Sequence, residues 1–352
     1  MKTPKKTMAL LAGATGLALI AAITLGVLAD SRVHAQSEKD LFVIKTWTRK
    51  DCSVTPWTVP DRLGYFKEEG IKLELTGETQ PALQIPSILR GNNDVGTFHP
   101  NTIAVAKAGG AQITGVVQGG IEPIDPKVPE KFRHMWWFVN PTKTPNVKSF
   151  ADLKNRPGKI KISTITKNVC ADFETNLLAD RYGVPRDKFE WVTMPDVQAI
   201  QALKQGLIDV SMVHPPFYKG MHDAGARKIA DTFETGLGAS AGLTYYVFRD
   251  EFIKKHPEQV AAFARAVTKG QKWANANPEK SAQLTAEAIG LPVTGNHYYS
   301  TVTKIDEQLS ARWIKDLEDN KVIPRGKVTT ASLITHDIEK INVRVLAERG
   351  RK

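Results

Sequence analysis

Cysteine is nearly absent from this sequence: Cys52 and Cys170 are the only two in 352 residues. So few thiols exclude a disulfide-stapled scaffold and every four-thiolate zinc module. Local catalytic signatures are also missing. There is no H-E-x-x-H, no G-x-x-x-x-G-K-[ST] and no G-x-G-x-x-G after a strand, which argues against an enzyme. No Lys/Arg tract with interleaved aromatics occurs, although the formal charge is +11. The basic residues are scattered, as on a solvated surface, so a nucleic-acid partner is not expected. Beyond Asp40 no run of 18 apolar residues is long enough to span a membrane. What remains is ordinary globular composition, 41% hydrophobic and 24% charged, at a length that suits two lobes.

The N-terminus has the character of an export signal. Lys2, Lys5 and Lys6 precede an uncharged apolar stretch from Met8 to Ala29, and Val33-His34-Ala35 places small residues where a signal peptidase cuts. Residues 1–35 are therefore expected to be a signal peptide; an uncleaved membrane anchor is the rival reading. Removing them takes away four basic residues and one acid and leaves a charge of +8. No cysteine follows the apolar run closely enough for a lipid anchor.

Downstream, short apolar strands alternate with helices opened by proline and closed by glycine. Strands are expected near 41–47, 71–75, 94–98 and 113–117. After a Pro-rich connection at 119–131 come a strand at 134–140 and further strands near 159–165, 189–193, 208–213 and 244–248. From 257 onward the pattern is helical, with helices expected at 257–275, 278–289, 297–320 and 331–350. The order βαβαβ, twice, implies largely parallel sheets whose ligand crevices lie at the carboxyl ends of the strands.

The two blocks resemble each other. At a shift of 115 residues Ile85 falls on Ile200, Gly91 on Gly206 and Asp94-Val95 on Asp209-Val210. In the same register His99-Pro100 falls on His214-Pro215 and Gly110-Ala111 on Gly225-Ala226. Eight identities without a gap point to a duplicated lobe. Two such lobes would face each other across a cleft, each presenting helix N-termini suited to a small anion or polar group, with the hinge closure of periplasmic binding proteins.

Gly64-Tyr-Phe-Lys-Glu-Glu-Gly-Ile-Lys-Leu-Glu-Leu75 resembles the N-terminal signature of ABC-importer solute-binding proteins of the nitrate, sulfonate and taurine type, a group related to thiamine-pyrimidine synthases. Ser149-Phe-Ala-Asp-Leu-Lys154, Gln205-Gly-Leu-Ile-Asp-Val210 and Val247-Phe-Arg-Asp-Glu-Phe-Ile-Lys-Lys-His-Pro257 match the same family in the same order. The resemblance covers about residues 40–275. It implies an α/β, type II periplasmic binding fold: two lobes joined by a hinge and a helical C-terminal part. Lobe 1 would comprise residues 40–140 plus 240–352, and lobe 2 residues 141–239. It further implies a periplasmic, monomeric protein without a cofactor that passes a small molecule to a membrane permease and its ATPase. The family's enzymes make the thiamine pyrimidine from pyridoxal phosphate, which leaves a pyrimidine-binding protein or a synthase-like enzyme as alternatives. The cleft loops depart from the small polar residues common in the sulfonate branch. They carry Phe98-His99 and His214-Pro-Pro-Phe-Tyr218 instead, which fits a small organic anion or a flat polar heterocycle better than a plain sulfonate.

Ten residues on these loops are candidates for ligand contact. His99 and His214 are paired donors at equivalent helix starts, or serve only a loop backbone. Trp47, Phe98, Phe217 and Tyr218 supply flat apolar walls, or pack in the core. Gln80, Ser163, Thr166 and Asn168 are polar groups at loop positions, the last three also explicable as helix caps. Cys52 and Cys170 could join His99 and His214 in a metal or soft-ligand site of a metal-binding or sensory protein. They could equally pair as a disulfide or stand as separate buried thiols, and no residue is assigned as a metal ligand.

Overall fold

The computed structural model describes residues 40–51 and 53–351. The expected signal segment and Cys52 lie outside the described residues. Among the described residues no helix is long and apolar enough to cross a membrane.

Among the described residues ten strands form three hydrogen-bonded sheets: one of two and one of three, set side by side in the first half, and one of five in the second. β1 (Phe42–Thr48) and β2 (Ile71–Glu78) run parallel. β3 (Val95–Phe98) and β4 (Ile113–Gln118) follow in the same half. β5 (Trp136–Val139), β6 (Ile160–Thr164), β7 (Phe189–Thr193), β8 (Val210–Val213) and β9 (Arg227–Asp231) form a five-stranded sheet in the order β7-β6-β8-β5-β9. β10 (Tyr245–Arg249) returns to the first half and lies between β3 and β4. β1 sits beside β3, where the Asp94 N–H donates to the Lys45 carbonyl at 2.9 Å. The first half therefore reads β2-β1-β3-β10-β4, the same plan as the second.

A matching pair of carboxylates anchors this repeated plan. The Lys45 N–H donates to Asp94 Oδ2 at 2.8 Å, and 115 residues later the Lys161 N–H donates to Asp209 Oδ2 at 2.9 Å. Each aspartate precedes a fully buried strand and ties it to its parallel neighbour, which is why Asp-Val recurs in the sequence at that spacing.

The sheets are not largely parallel as expected, because β10 is antiparallel to β3 and β4, and β5 is antiparallel to β8 and β9. Each of these strands comes from chain that has just crossed between the halves and so enters from the opposite end. This also corrects the expected grouping of residues 134–140 with the first lobe: Trp136–Val139 hydrogen-bonds within the second sheet. The strand at 227–231 is one that the pattern did not yield.

The crossings lie side by side. The Gly119 N–H donates to the Thr244 carbonyl at 2.8 Å, the Thr244 N–H to the Gly120 carbonyl at 3.2 Å, and the Gly120 N–H to Thr244 Oγ1 at 2.7 Å. A third stretch joins them, with the Ser300 N–H on the Gly119 carbonyl and the Ile121 N–H on the Tyr298 carbonyl. That pairing takes residues 298–300 out of any helix, residues 301–306 are irregular, and the helix expected at 297–320 is confined to Ala311–Asp319 after a short 3-10 turn. The helix expected from 331 likewise starts only at Asp337.

Helices fill both faces. Pro81, Pro100, Pro257 and Pro278 each open one, where the missing N–H costs nothing. Pro257–Ala276 buries Val260, Phe263, Ala264 and Val267 against Ile44, Phe66, Val95 and Phe248 in the core of the first half. The second half is built on Trp137, Phe150, Ile160, Ile162, Leu178 and Met212.

Trp47 belongs to the packing of the first half. It is 1% exposed, its ring lies 6.0 Å from that of Phe98, and it covers Gly96 so closely that a Cβ there would meet Trp47 Cη2 at 2.3 Å. Gly96→Ala is therefore expected to lower stability by about 1–3 kcal/mol through overpacking. Urea unfolding should show a lower midpoint with an unchanged slope; an unaltered midpoint would mean that Trp47 is not packed as described.

Candidate functional site

The loops at the carboxyl ends of β1, β3, β6 and β8 converge on a cavity of about 340 Å³. Arg49, beyond β1, and Thr97, Phe98 and His99, at the end of β3, line it from the first half. Residues 165–171 and His214 line it from the second. Two hydrogen bonds close the gap between halves: Asn101 Nδ2 donates to the Val169 carbonyl at 3.0 Å and Thr102 Oγ1 to the Asn168 carbonyl at 2.9 Å. Asn168 holds a left-handed backbone, φ +58°, which turns the loop before the helix at Cys170–Tyr182.

The walls mix apolar and polar surface. Ile85, Phe98 and Met212 present apolar faces, and Thr97 Oγ1 is buried without a hydrogen-bond partner among the described residues. The charged lining residues are Arg49, Asp51 and Lys167, a formal balance of +1. The Arg49 guanidinium lies 4.6 Å from the Trp47 ring and 5.0 Å from the Trp57 ring. Its Nη1 donates to Ser53 Oγ at 2.8 Å. Such a cation, clamped by aromatic faces, is in place before any ligand arrives.

Five of the ten expected residues meet here: Phe98, His99, Thr166, Asn168 and His214. The other five sit elsewhere. Trp47 packs in the core. Gln80 precedes the helix at 81–89 and is exposed outside the lining. Ser163 is buried within the second sheet, where its Oγ accepts from the Met212 N–H at 3.2 Å and lies 3.3 Å from Ser211 Oγ. Phe217 joins the packing around Trp136, Phe138 and Met221. The Tyr218 ring stacks on Trp136 at 4.1 Å and its hydroxyl donates to the Arg133 carbonyl, beside a separate cavity of about 230 Å³. The 3-10 turn at Pro215–Phe217 aims these rings away from the cleft.

Arg49 and Thr97 were missed although they stand just beyond and at the carboxyl ends of the strands expected near 41–47 and 94–98. Gly238-Ala-Ser-Ala-Gly242 was also passed over, although it fits the G-x-S-x-G spacing of serine hydrolases. Ser240 is no nucleophile. It lies in a short 3-10 turn at a crossing, its Oγ donates to the Leu309 carbonyl at 2.6 Å and accepts from Trp313 Nε1 at 2.9 Å.

Beneath the cavity four histidines gather. The His134 ring lies 5.3 Å from that of His99, 5.2 Å from His214 and 4.9 Å from His297. Cys170 Sγ is 3.5 Å from His214 Nε2. One ligand atom each of His99, His134 and Cys170 lies within 4.8 Å of the others, close enough to hold a metal ion. Sequence reasoning had no route to His134 and His297, which stand outside the repeat. Burial sets the charge state of the group. Loss of water lowers His99 to about 4, holds His134 and His297 well below the ordinary imidazole value, and pushes the Cys170 thiol up.

Glu122 supports this floor from behind. Its Oε2 accepts from the His134 N–H at 2.6 Å and from Thr232 Oγ1 at 2.9 Å. Burial outweighs these donors and the Arg133 guanidinium 3.4 Å away, and raises the carboxyl from 4.5 to about 7. A raised carboxyl keeps its proton when folded, so its contribution is complete below pH 4.5 and is lost as pH climbs through 7. Relative to wild type, Glu122→Gln should flatten the fall of stability between pH 5 and 7 by up to about 1.4 kcal/mol per pH unit. Chemical denaturation across that range measures it; parallel curves for the two proteins would contradict the assignment.

Residues 52–281 match the family described as NMT1/THI5 like. The 4-amino-5-hydroxymethyl-2-methylpyrimidine phosphate synthase THI11 of Saccharomyces cerevisiae is 26% identical over 237 residues, 64% of this chain and 66% of that protein. The chain thus spans just under two thirds of that relative's length. The taurine-binding periplasmic protein of Escherichia coli is 30% identical over 98 residues, 28% of this chain and 30% of its own. Among solved structures, the periplasmic nitrate-binding protein NrtA from Synechocystis PCC 6803 superposes with a TM-score of 0.71 at 11% identity. That match covers 87% of this chain and 89% of the other, and it establishes the shared fold.

Proposed function

We propose, from the premise that the chain belongs to the NMT1/THI5 like family, that it is the solute-binding component of an ABC importer. It captures a small organic anion, or a polar heterocycle of similar size, between its two halves and presents it to a membrane permease and its ATPase. One observation carries this reading: the cavity is built by strand-end loops of both halves, bridged by Thr102 and Asn168. A ligand that touches both sets of loops favours the closed state by its contacts to each, and binding shifts an open–closed equilibrium. Capture and release, without bond chemistry, suffice for that role.

Arg49 and the +1 lining favour an anionic group, and Ile85, Phe98 and Met212 favour an apolar body attached to it. By their names one relative binds taurine, which carries a sulfonate group, and one structural neighbour binds nitrate. The periplasm is the compartment this role requires, with residues 1–35 as the export signal and a monomer as the working unit. We assign residues 133–235 to the second lobe, with the first formed by the chain before and after it. The yeast relative supports a second reading, a pyrimidine ligand or synthase-like chemistry. In the cavity the one lysine is Lys167, which is exposed to water rather than desolvated for Schiff-base formation.

A thermal-shift screen followed by calorimetry tests the reading, with taurine and longer sulfonates, nitrate, aromatic carboxylates and pyrimidines as probes. A true ligand at about 100 times its Kd adds roughly 2.7 kcal/mol of stability. Arg49→Gln should weaken an anion about 10- to 100-fold, the worth of a hydrogen bond to a charged group. Asn168→Gly keeps the left-handed turn, removes the side-chain amide and should cost about tenfold. Failure of every compound to shift the melting temperature contradicts the importer reading, and product formation from pyridoxal phosphate would replace it with the enzyme.

A further inference from the structure

The floor of the cleft contains more donor chemistry than a small organic ligand needs. His99 Nδ1 lies 2.8 Å from the Leu243 carbonyl, which only accepts, so that nitrogen carries the proton and Nε2 keeps its lone pair. His214 Nδ1 likewise donates to Asp196 Oδ2 at 2.8 Å, which turns Nε2 toward Cys170 Sγ at 3.5 Å. His134 is 4% exposed, and its Nε2 has no hydrogen-bond partner among the described residues. An orphaned imidazole nitrogen in the interior costs free energy unless something occupies it. Two oriented imidazoles, one unpartnered imidazole and one thiol thus share one buried cluster: ligand atoms of His99, His134 and Cys170 lie within 4.8 Å of one another, and His214 Nε2 joins them through Cys170 Sγ at 3.5 Å.

We propose that Cys170, His99, His134 and His214 bind one borderline-soft transition-metal ion, zinc(II), at the floor of the cleft. An ion bound at about 2.0–2.3 Å in a tetrahedral site holds its ligand atoms roughly 3.3–3.8 Å apart. Cys170 Sγ and His214 Nε2 already stand at 3.5 Å, and the His99, His134 and Cys170 atoms, within 4.8 Å, need only a small contraction. Three imidazoles and a thiolate suit zinc or a softer ion and suit magnesium or calcium poorly. The outer partners are in place: Asp196 orients His214 as a carboxylate orients a zinc-bound histidine, and the Leu243 carbonyl does so for His99. Burial works in the same direction for His99 and His134, where it disfavours the cation. It opposes ionisation of the thiol, and the ion reverses that: the Cys170 proton leaves to solvent as the sulfur–metal bond forms. The ligands come from both halves, with His99 after β3, Cys170 after β6, His214 after β8 and His134 just before β5. Occupancy would therefore fasten the base of the cleft. The site stands without the organic-ligand reading, because it uses residues below that cavity as well as in its wall.

The test uses the full chain carrying Cys52→Ser, so that Cys170 is the only thiol. Chelator-treated protein is titrated with Zn²⁺ alone and with Co²⁺ alone, followed by calorimetry and absorption. The proposal predicts one equivalent of either ion, a thiolate-to-cobalt charge-transfer band, and protection of Cys170 from alkylation by bound Zn²⁺. Asp196→Asn, which repositions His214, should weaken Zn²⁺ about 10- to 100-fold with an unchanged far-ultraviolet circular dichroism spectrum. His134→Gln should weaken it at least tenfold, and Cys170→Ser should abolish the cobalt band. Should that last variant not fold, the alkylation protection decides in its place. Uptake of less than half an equivalent, a cobalt complex without the thiolate band, or equal uptake of Mg²⁺ would overturn the proposal, whatever organic compound the cleft binds.

Discussion

The structure depends on the close approach of two backbone crossings. Gly120 and Gly242 meet where a Cβ on the first would stand 2.6 Å from the carbonyl oxygen of the second, and one on Gly119 would stand 2.4 Å from Thr244 Oγ1. Only glycine permits that spacing. The crossings pair through the Gly119, Gly120 and Thr244 backbone, and the stretch at 298–300 completes the layer. From this one junction follow the swap of β5 and β10 between halves, their antiparallel sense, and the facing of two sets of strand-end loops. A short paired ribbon can bend while each sheet keeps its register, which is what a hinge requires.

Duplication explains the shape of the cleft but not its content. Asp94 and Asp209 perform the same backbone task in each half, and His99 and His214 occupy the same place at the start of a helix. The two histidines then diverge. His99 stacks on Trp313 at 5.3 Å and bonds a backbone carbonyl; His214 bonds the Asp196 carboxylate and faces Cys170. Each half thus contributes a histidine held by an outer partner, and the asymmetry lies in those partners. Glu174, one helical turn beyond Cys170, is fully buried and pushed well above the usual carboxyl range. Burial accordingly disfavours charge on His99, His134 and Glu174 below the cleft, while the wall above it carries Arg49.

Much of the fold was legible because it is written in local chemistry. Proline before a helix, glycine after it and Asp-Val at the head of a buried strand each report a backbone requirement, and their recurrence at one spacing reports the duplication. Where a tertiary contact decides, the sequence was silent or misleading. Residues 297–306 carry a helical pattern, yet pairing of residues 298–300 with Gly119–Ile121 keeps a helix from forming there. Trp47 and Tyr218 sit at loop edges, but Trp47 packs over Gly96 and Tyr218 stacks on Trp136. His134 and His297 reach the site from chain outside the repeat, and no spacing rule connects them to His99 or His214. Five of the ten expected residues line the cavity and five do not, because a loop position does not say which way a side chain turns.

The central claim is that the halves close on a ligand about the paired crossings. Small-angle X-ray scattering, with and without a saturating amount of the compound that stabilises the protein most, tests it directly. The account predicts a smaller radius of gyration in the bound state, with the unbound protein more open than the bridged arrangement of Thr102 and Asn168. Saturable binding with an unchanged radius of gyration would contradict it.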